Sequence, residues 1–374
     1  MQRLNNIFRL GVKELWSLAR DPIMLVLIVY TFTFAVYTAA TAMPETLHRA
    51  AIAIVDEDVS PLSLRIASAF YPPQFSSPQP ITMSEVDPGM DAGNFTFVLV
   101  IPPEFQQDVL AGDTPDIQLN VDATRMSQAF AGSGYIQQIV QGEVADFVQG
   151  FRSTPVQPVE LALRMRFNPG LERSWFGSLM EVINQITMLS IILTGAALIR
   201  EREHGTIEHL LVMPVTAGEI MLSKIWSMGS VVLLASGVSL VLVVRGALNV
   251  PIEGSVALFL LGTALHLFAT TSMGIFMATL ARTMPQFGLL LMLTLLPLQM
   301  LSGAMTPRES MPSLVANLML LAPTTHFVSL GQAILYRGAG VNVVWPQFVA
   351  LLLIGGVFFV VALRRFRYSL SRMG

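Results

Sequence analysis

The densest run of ionisable side chains in this chain of 374 residues is Arg200-Glu201-Arg202-Glu203-His204, followed at once by Gly205-Thr206-Ile207-Glu208-His209-Leu210-Leu211-Val212-Met213-Pro214. Each carboxylate stands beside a guanidinium, so salt bridging explains Glu201 and Glu203 better than acid–base catalysis. Thr206 is placed to cap a helix that starts at Ile207, Glu208 falls in its first turn where the macrodipole favours a negative charge, and Pro214 ends it. Thr216-Ala217-Gly218-Glu219 then has the spacing of a capping box, so a second helix begins there. A helix of about two turns is marginal alone in water and must pack on something. Leu210, Leu211 and Met213 are thereby offered as a docking handle, although the same residues also describe a plain solvated hairpin.

Other chemistry is sparse. The chain has no Gly-x-x-x-x-Gly-Lys-Ser/Thr phosphate cradle and no His-Glu-x-x-His pair, so no catalytic residue is assigned and ATP hydrolysis must occur elsewhere. With no cysteine, disulfides and thiolate catalysis are excluded. Asp56-Glu57-Asp58 with Ser60 lacks the Gly and distal Glu of a calcium loop, so turn and N-cap chemistry before Pro61 is the reading and no metal is expected. No basic stripe with interleaved aromatics is present, which argues against nucleic acid.

The elements that hold these residues are apolar. The composition is 53% hydrophobic and 13% charged, with a mean hydropathy of +0.61, far from the roughly 25% charge of soluble domains. The run at 22–43 carries no charge and is long enough to cross about 30 Å of hydrocarbon. Further spans are read at 182–199 (in a helix from 177), 225–244, 256–281, 287–305 and 344–363, six in all. The short flanks on one side hold twelve Lys and Arg, against Arg245, Arg308 and Arg337 on the other. Both termini are therefore expected in the cytoplasm, with the basic tail 364–374 and the loop 200–224 on that side. Before the first span, Leu4, Phe8, Val12 and Leu15 repeat at helical spacing, which predicts an interfacial amphipathic helix over 1–21 lying on membrane lipid.

The segment 44–176 is expected across the membrane as an extracytoplasmic α/β domain. Seven basic and sixteen acidic residues between 43 and 175 make it acidic. Strands are read at 51–55, 95–101, 117–121 and 159–167, with helices at 61–70, 103–110 and 126–151. The stretch 71–80 and the Pro88-Gly89 pair are read as loop and turn. Between the last two spans, 306–340 is apolar but broken at Ala322-Pro323-Thr324-Thr325-His326, and the topology count keeps it on the outer side. Pro297 is expected to kink the fifth span or let it re-enter.

Within the spans, no Asp, Glu, Lys or Arg is central, which weakens proton-coupled transport. His266 is the one ionisable residue deep in a span. Asn184, His266, Thr270 and Met273 are candidates for a translocation path, with interhelical packing as the competing use.

Glu-x-Glu-x-Gly-Thr followed by Glu-x-Leu-Leu-x-x-Pro-Val resembles the signature loop of ABC-2 type permeases, the membrane subunits of type V ABC transporters. The likeness continues through Val121-Asp122-Ala123-Thr124, Met165-Arg166-Phe167-Asn168-Pro169 and Leu301-Ser302-Gly303-Ala304-Met305-Thr306-Pro307-Arg308-Glu309. It covers nearly the whole chain and points to bacterial inner-membrane permeases. The resemblance implies that Glu201, Glu203, Gly205, Thr206, Glu208 and Leu211 form a coupling helix docked on a separate ABC ATPase, which carries ATP and Mg²⁺ itself. It further implies a second permease protomer, identical or paralogous, a periplasmic membrane-fusion adaptor, and export of drugs or other amphiphiles. Two other classes stay open on the residues alone: a membrane-anchored scaffold that recruits the adaptor and moves nothing, and an ion-gradient-driven carrier.

Overall fold

A computed structural model describes residues 2–41, 47, 49–150, 166–168, 172–203, 215–281 and 283–370. The chain divides into two compact units, residues 1–42 with 165–374, and residues 43–164.

The first unit is helical. Helix α1 spans Gln2–Ala19 and α2 spans Pro22–Thr41, whose entry is capped by Asp21 accepting from Met24 N at 3.2 Å. The remaining helices of this unit are numbered after those of the α/β unit: α7 at Arg173–Glu203, α8 at Ala217–Ala247, α9 at Val256–Leu280, α10 at Met284–Met300 and α13 at Val341–Leu370. Between the last two lie α11 (Ser313–Leu321) and α12 (Pro323–Tyr336), which meet at 90°.

Five helices, α2, α7, α8, α9 and α13, are long and apolar enough to cross a membrane, or six crossings if the bent pair counts as one. The expected fifth span corresponds to α10, 17 residues long, which at 1.5 Å per residue reaches about 25 Å and stops a turn after Pro297. The broken stretch is the bent pair, its break falling at Ala322, where φ −89° and ψ 132° leave the helical region just before Pro323.

Helices α7 and α9 carry the core of this unit. They approach so closely at Gly274 that a Cβ there would stand 2.7 Å from the Ile191 carbonyl oxygen. Buried hydroxyls along both helices bond back to their own backbone, as Thr194 does to Ser190 O and Thr271 to Leu267 O, so small polar residues enter the apolar interior with their donors satisfied. Helices α2 and α8 both widen into π-helix, at Thr31–Ala35 and Ser239–Ala247, and the first is met by the second where Ser239 Oγ donates to Phe32 O at 2.6 Å.

On α1 the apolar stripe and the face buried against the bundle are different sides. Leu4 and Phe8 are exposed, whereas Gly11, Glu14 and Leu18 form the buried face. The approach is close because Gly11 has no side chain: a Cβ there would stand 2.2 Å from the Trp226 ring. Phe8 stacks on the same ring at 5.7 Å and Trp226 Nε1 donates to Ile7 O at 3.2 Å.

The second unit is a four-stranded sheet in the order β2-β1-β3-β4, with β1 at Ile52–Asp56, β2 at Gln79–Pro80, β3 at Phe97–Ile101 and β4 at Gln118–Val121. β1 pairs parallel with β2 and β3, and β3 antiparallel with β4. Helices α3 (Pro61–Ser68), α5 (Phe105–Ala111) and α6 (Met126–Gln149) contribute to one apolar cluster with Ile52, Ile54, Phe97, Leu99 and Ile101. The other face, Ala53, Val55, Val98 and Val100, packs on Val86 of α4 (Val86–Asp91) and on Phe95. Both faces of β1 and β3 are covered, which is why these strands read as unbroken apolar runs.

Two local readings change. Gln79–Pro80 forms a short strand at the sheet edge, where a proline is tolerated. Pro88-Gly89 lies inside α4, since a proline in a first turn loses no intrahelical hydrogen bond. The strand read at 159–167 falls almost wholly outside the described residues, and its described end, Arg166 and Phe167, is not strand. Ser60 caps α3 in a reciprocal pair with Ser63, and Asp56 accepts from Asp58 N, Val59 N and Ser63 Oγ, so turn and cap chemistry occupies these groups.

Candidate functional site

Glu201 lies in the last turn of α7, and among the described residues of the helical unit its surroundings are the most concentrated electrostatics. Its carboxylate lies 2.8 Å from Lys224 Nζ and 2.9 Å from Lys13 Nζ. Lys224 also reaches Glu14 at 3.0 Å, and Lys13 stands 3.7 Å from Glu14. Two ammonium groups and two carboxylates thus close a neutral square joining α1, the end of α7 and the start of α8. Lys224 is 1% exposed, and Glu14 and Glu201 are also buried. A charge so placed is tolerated only because each has opposite partners in contact.

The groups bias one another. Burial pushes the Glu14 carboxyl above the ordinary glutamate value, Lys224 opposing it and Glu201 adding to it. For Lys13, burial works against the charged form, but the negative charges of Glu201 and Glu14 outweigh it and raise the ammonium above its ordinary value. Beside the square, Arg200 Nη1 donates to Asp21 Oδ2 at 2.7 Å, tying the end of α7 to the cap of α2. A cavity of about 260 Å³ lies against Lys13, Glu14, Arg200 and Glu201.

Glu203 is exposed and accepts from Met284 N at 3.0 Å, serving the start of α10. Arg202 donates to Ala281 O at 2.7 Å, at the end of α9. On the far side of the 204–214 segment, α8 opens with the expected capping box, Thr216 and Glu219 each bonding the other's backbone N–H. Gly205, Thr206, Glu208 and Leu211 lie outside the described residues, as do the expected helix between Thr206 and Pro214 and its docking face.

The candidate path residues separate into two settings. His266 and Thr270 on α9 face α7: His266 Nε2 and Thr187 Oγ1 are 2.8 Å apart, and Ser190 Oγ donates to Thr270 Oγ1 at 2.7 Å. The His266 ring stacks on Phe327 at 4.0 Å. Met273 packs in the apolar cluster with Ile191, Leu198 and Phe287, and Asn184 is half-buried on α7. Sequence reasoning missed Glu14, because it lies off the apolar stripe where a carboxylate reads as solvated, and Lys224, because it looks like an ordinary basic flank. Their shared signal was a carboxylate one turn before the end of an amphipathic helix and a lysine at the mouth of a span.

A bundle of long apolar helices, with an amphipathic helix latched to it by buried charge beside the charged end of α7, is the architecture of a polytopic membrane protein. A family model described as ABC-2 family transporter protein matches residues 22–364, and the chain belongs to that family. Over 373 residues, the whole of both chains, it is 63% identical to the inner membrane transport permease YhhJ of Escherichia coli K12. It is also 29% identical over 352 residues to the probable multidrug ABC transporter permease YbhR of the same organism, covering 91% of this chain and 93% of the relative. A third relative, YbhS, also described as a probable multidrug ABC transporter permease, is 29% identical over 278 residues, 72% of each chain.

Proposed function

We propose that the chain is the permease subunit of an ATP-binding cassette exporter of the bacterial inner membrane, coupling hydrolysis by a separate ATPase to efflux of an amphiphile. ATP and Mg²⁺ are held by that ATPase. Two copies, or one copy and a paralogue, enclose the path. Both termini face the cytoplasm, the α/β unit faces the periplasm, and a membrane-fusion adaptor is the partner on that side. The names of the relatives support a drug-like cargo.

The observation that carries this reading is the four-charge square. It joins the helix entering the 204–214 segment to the helix leaving it, and both to α1, so a force on that segment acts on three elements together. Coupling also requires that the ATP-closed and ATP-open surfaces of the partner bind the segment with different free energies. Glu201, Glu203, Gly205, Thr206, Glu208 and Leu211 are assigned to that coupling, with Glu201 acting from within the square and Glu203 from its bond to the start of α10.

The test is the purified chain with its ATPase in vesicles. Glu208→Lys and Thr206→Pro are each expected to abolish transport-linked ATP hydrolysis and flux while leaving membrane insertion intact. Unchanged coupled hydrolysis in both overturns the reading.

A further inference from the structure

We propose that the α/β unit holds a binding groove for a cationic amphiphile, an assignment that narrows the cargo and rests on the permease reading. The groove follows from how α6 is seated. Near its start a Cβ on Gly132 would stand 2.2 Å from the Phe97 ring, so the helix lies directly on the sheet there. Further along, Arg65 of α3 pairs with Glu143 and with Asp146, which draws the carboxyl half of α6 to the α3 side. On the opposite side stands α5, which is short: it ends at Ala111, Gly112 adopts a φ of 88°, and the chain crosses to β4. A cavity of about 810 Å³ is left between α6, α5 and β4.

Its walls are apolar because the faces of sheet and helix converge on it. Leu99 and Leu119 are paired across β3 and β4 and both line the cavity. Ile117 continues that face, whereas Gln118 and Asn120 lie on the other, Gln118 Nε2 donating to Asn120 Oδ1 at 2.9 Å. From α6 come Ile136, Val140 and Val144, one side of the helix at a spacing of four. Exposure rises outward: Leu99, Phe105 and Ile136 are buried, Leu119, Val140 and Val144 are half-buried, and Val148 is 54% exposed. From Ser133 to Val148 the lining follows α6 for about 22 Å. The volume falls within the roughly 300–1,000 Å³ of small-molecule sites. An elongated apolar body, an alkyl chain or fused aryl rings, matches that shape.

Charge selects the head group. Asp113 is the ionisable residue of the lining and is exposed at the rim, and among the described residues no lysine, arginine or histidine lines the groove. Asp108 and Asp116 flank Asp113 in a segment where acidic residues outnumber basic ones by sixteen to seven. An anionic head would meet only like charge here, whereas an ammonium is attracted to the rim by Asp113 and drawn to it by the field of the unit. Thr114, Gln137 and Gln141 add exposed, uncharged hydrogen-bonding side chains along the same rim. The groove is open in this structure, with Gln141, Ala145 and Val148 all exposed, so a ligand enters without any helix moving.

The experiment is photolabelling of the full chain in phosphatidylcholine nanodiscs with an alkyl-diazirine primary amine and the fatty acid of the same chain length. Label on peptides from 105–119 and 133–148 is normalised to label on α13, which removes the difference in partitioning between the probes. The amine is expected to exceed the acid at least about fivefold, the scale of one ion pair near water. Asp113→Lys, at an exposed position, is expected to bring that ratio to about one or below. Ala145→Trp, which sets an indole in the groove from an exposed position, is expected to cut labelling by both probes about tenfold. Equal labelling of the unaltered chain by the two probes, or labelling indifferent to Ala145→Trp, overturns the proposal. So does labelling that falls as the concentration of the chain rises, which marks a second copy as the occupant. If Ala145→Trp does not fold, the response to Asp113→Lys decides. With its ATPase and MgATP present, the amine is expected to stimulate hydrolysis severalfold, and the stimulation to be lost in Ala145→Trp. Coupled hydrolysis that persists without amine selectivity discards the groove and leaves the permease reading standing. Groove labelling in a chain on which no ATPase acts overturns the permease reading, and the cargo assignment with it.

Discussion

Lys224 is an ammonium group almost wholly removed from solvent, and what makes it tolerable is the pair of carboxylates at 3.0 and 2.8 Å. Removing it leaves Glu14 and Glu201 buried with only Lys13 between them. Lys224→Met is therefore expected to destabilise the protein by about 3–5 kcal/mol. Adding Glu201→Gln restores neutrality, leaving Lys13 opposite Glu14, and is expected to recover much of that loss. Thermal unfolding of the two single variants and the double variant forms the cycle, and additive effects would contradict the square. The Arg200 and Asp21 side chains are 32% and 21% exposed, so their pair contributes less than about 1 kcal/mol. At this scale the sequence was legible only in part. Glu201 announces itself by three charged neighbours and a histidine, but its partners are 188 residues before it and 23 after it, and no local pattern records who meets whom.

Among elements, the contact of α7 with α9 is set by a missing side chain. Gly274→Val places methyl groups against the Ile191 backbone and is expected to cost about 1–3 kcal/mol, read as a lowered unfolding temperature. Gly356→Ala on α13, with nothing within 4 Å of the added carbon, is the matched control and is expected to be neutral or slightly stabilising. Hydropathy located the long crossings well because each is a continuous apolar run of more than about 18 residues. It could not tell that Met284–Met300 is shorter than its neighbours, since the apolar residues after Pro297 continue past the end of the helix. The side of α1 that packs on the bundle was not legible for a different reason. Periodicity finds the apolar side of a helix, but here the inward side was selected by Gly11 and Glu14, which allow close approach and ion pairing. In the α/β unit, β1 and β3 were plain from their apolar runs, whereas the two residues of β2 have no pattern at all and exist because β1 offers an edge.

For the molecule as a whole, the asymmetry of basic flanks predicts sidedness, and the absence of cysteine makes that prediction easy to examine. Single replacements Asp91→Cys in the α/β unit and Asn5→Cys in α1 are expected to react with a membrane-impermeant maleimide from opposite sides: the first in spheroplasts, the second only in inverted vesicles. Reaction of both from one side would overturn the assignment of the termini and of the large domain. One further consequence concerns biogenesis. Glu14 is made 210 residues before Lys224, an interval of about 10–40 seconds at 5–20 residues per second on the ribosome. Through that wait the amino-terminal helix has no ammonium from the third crossing to fasten it. The interfacial reading of this helix gives its exposed Leu4, Phe8 and Trp16 the part of holding it to the bilayer until the lock is complete.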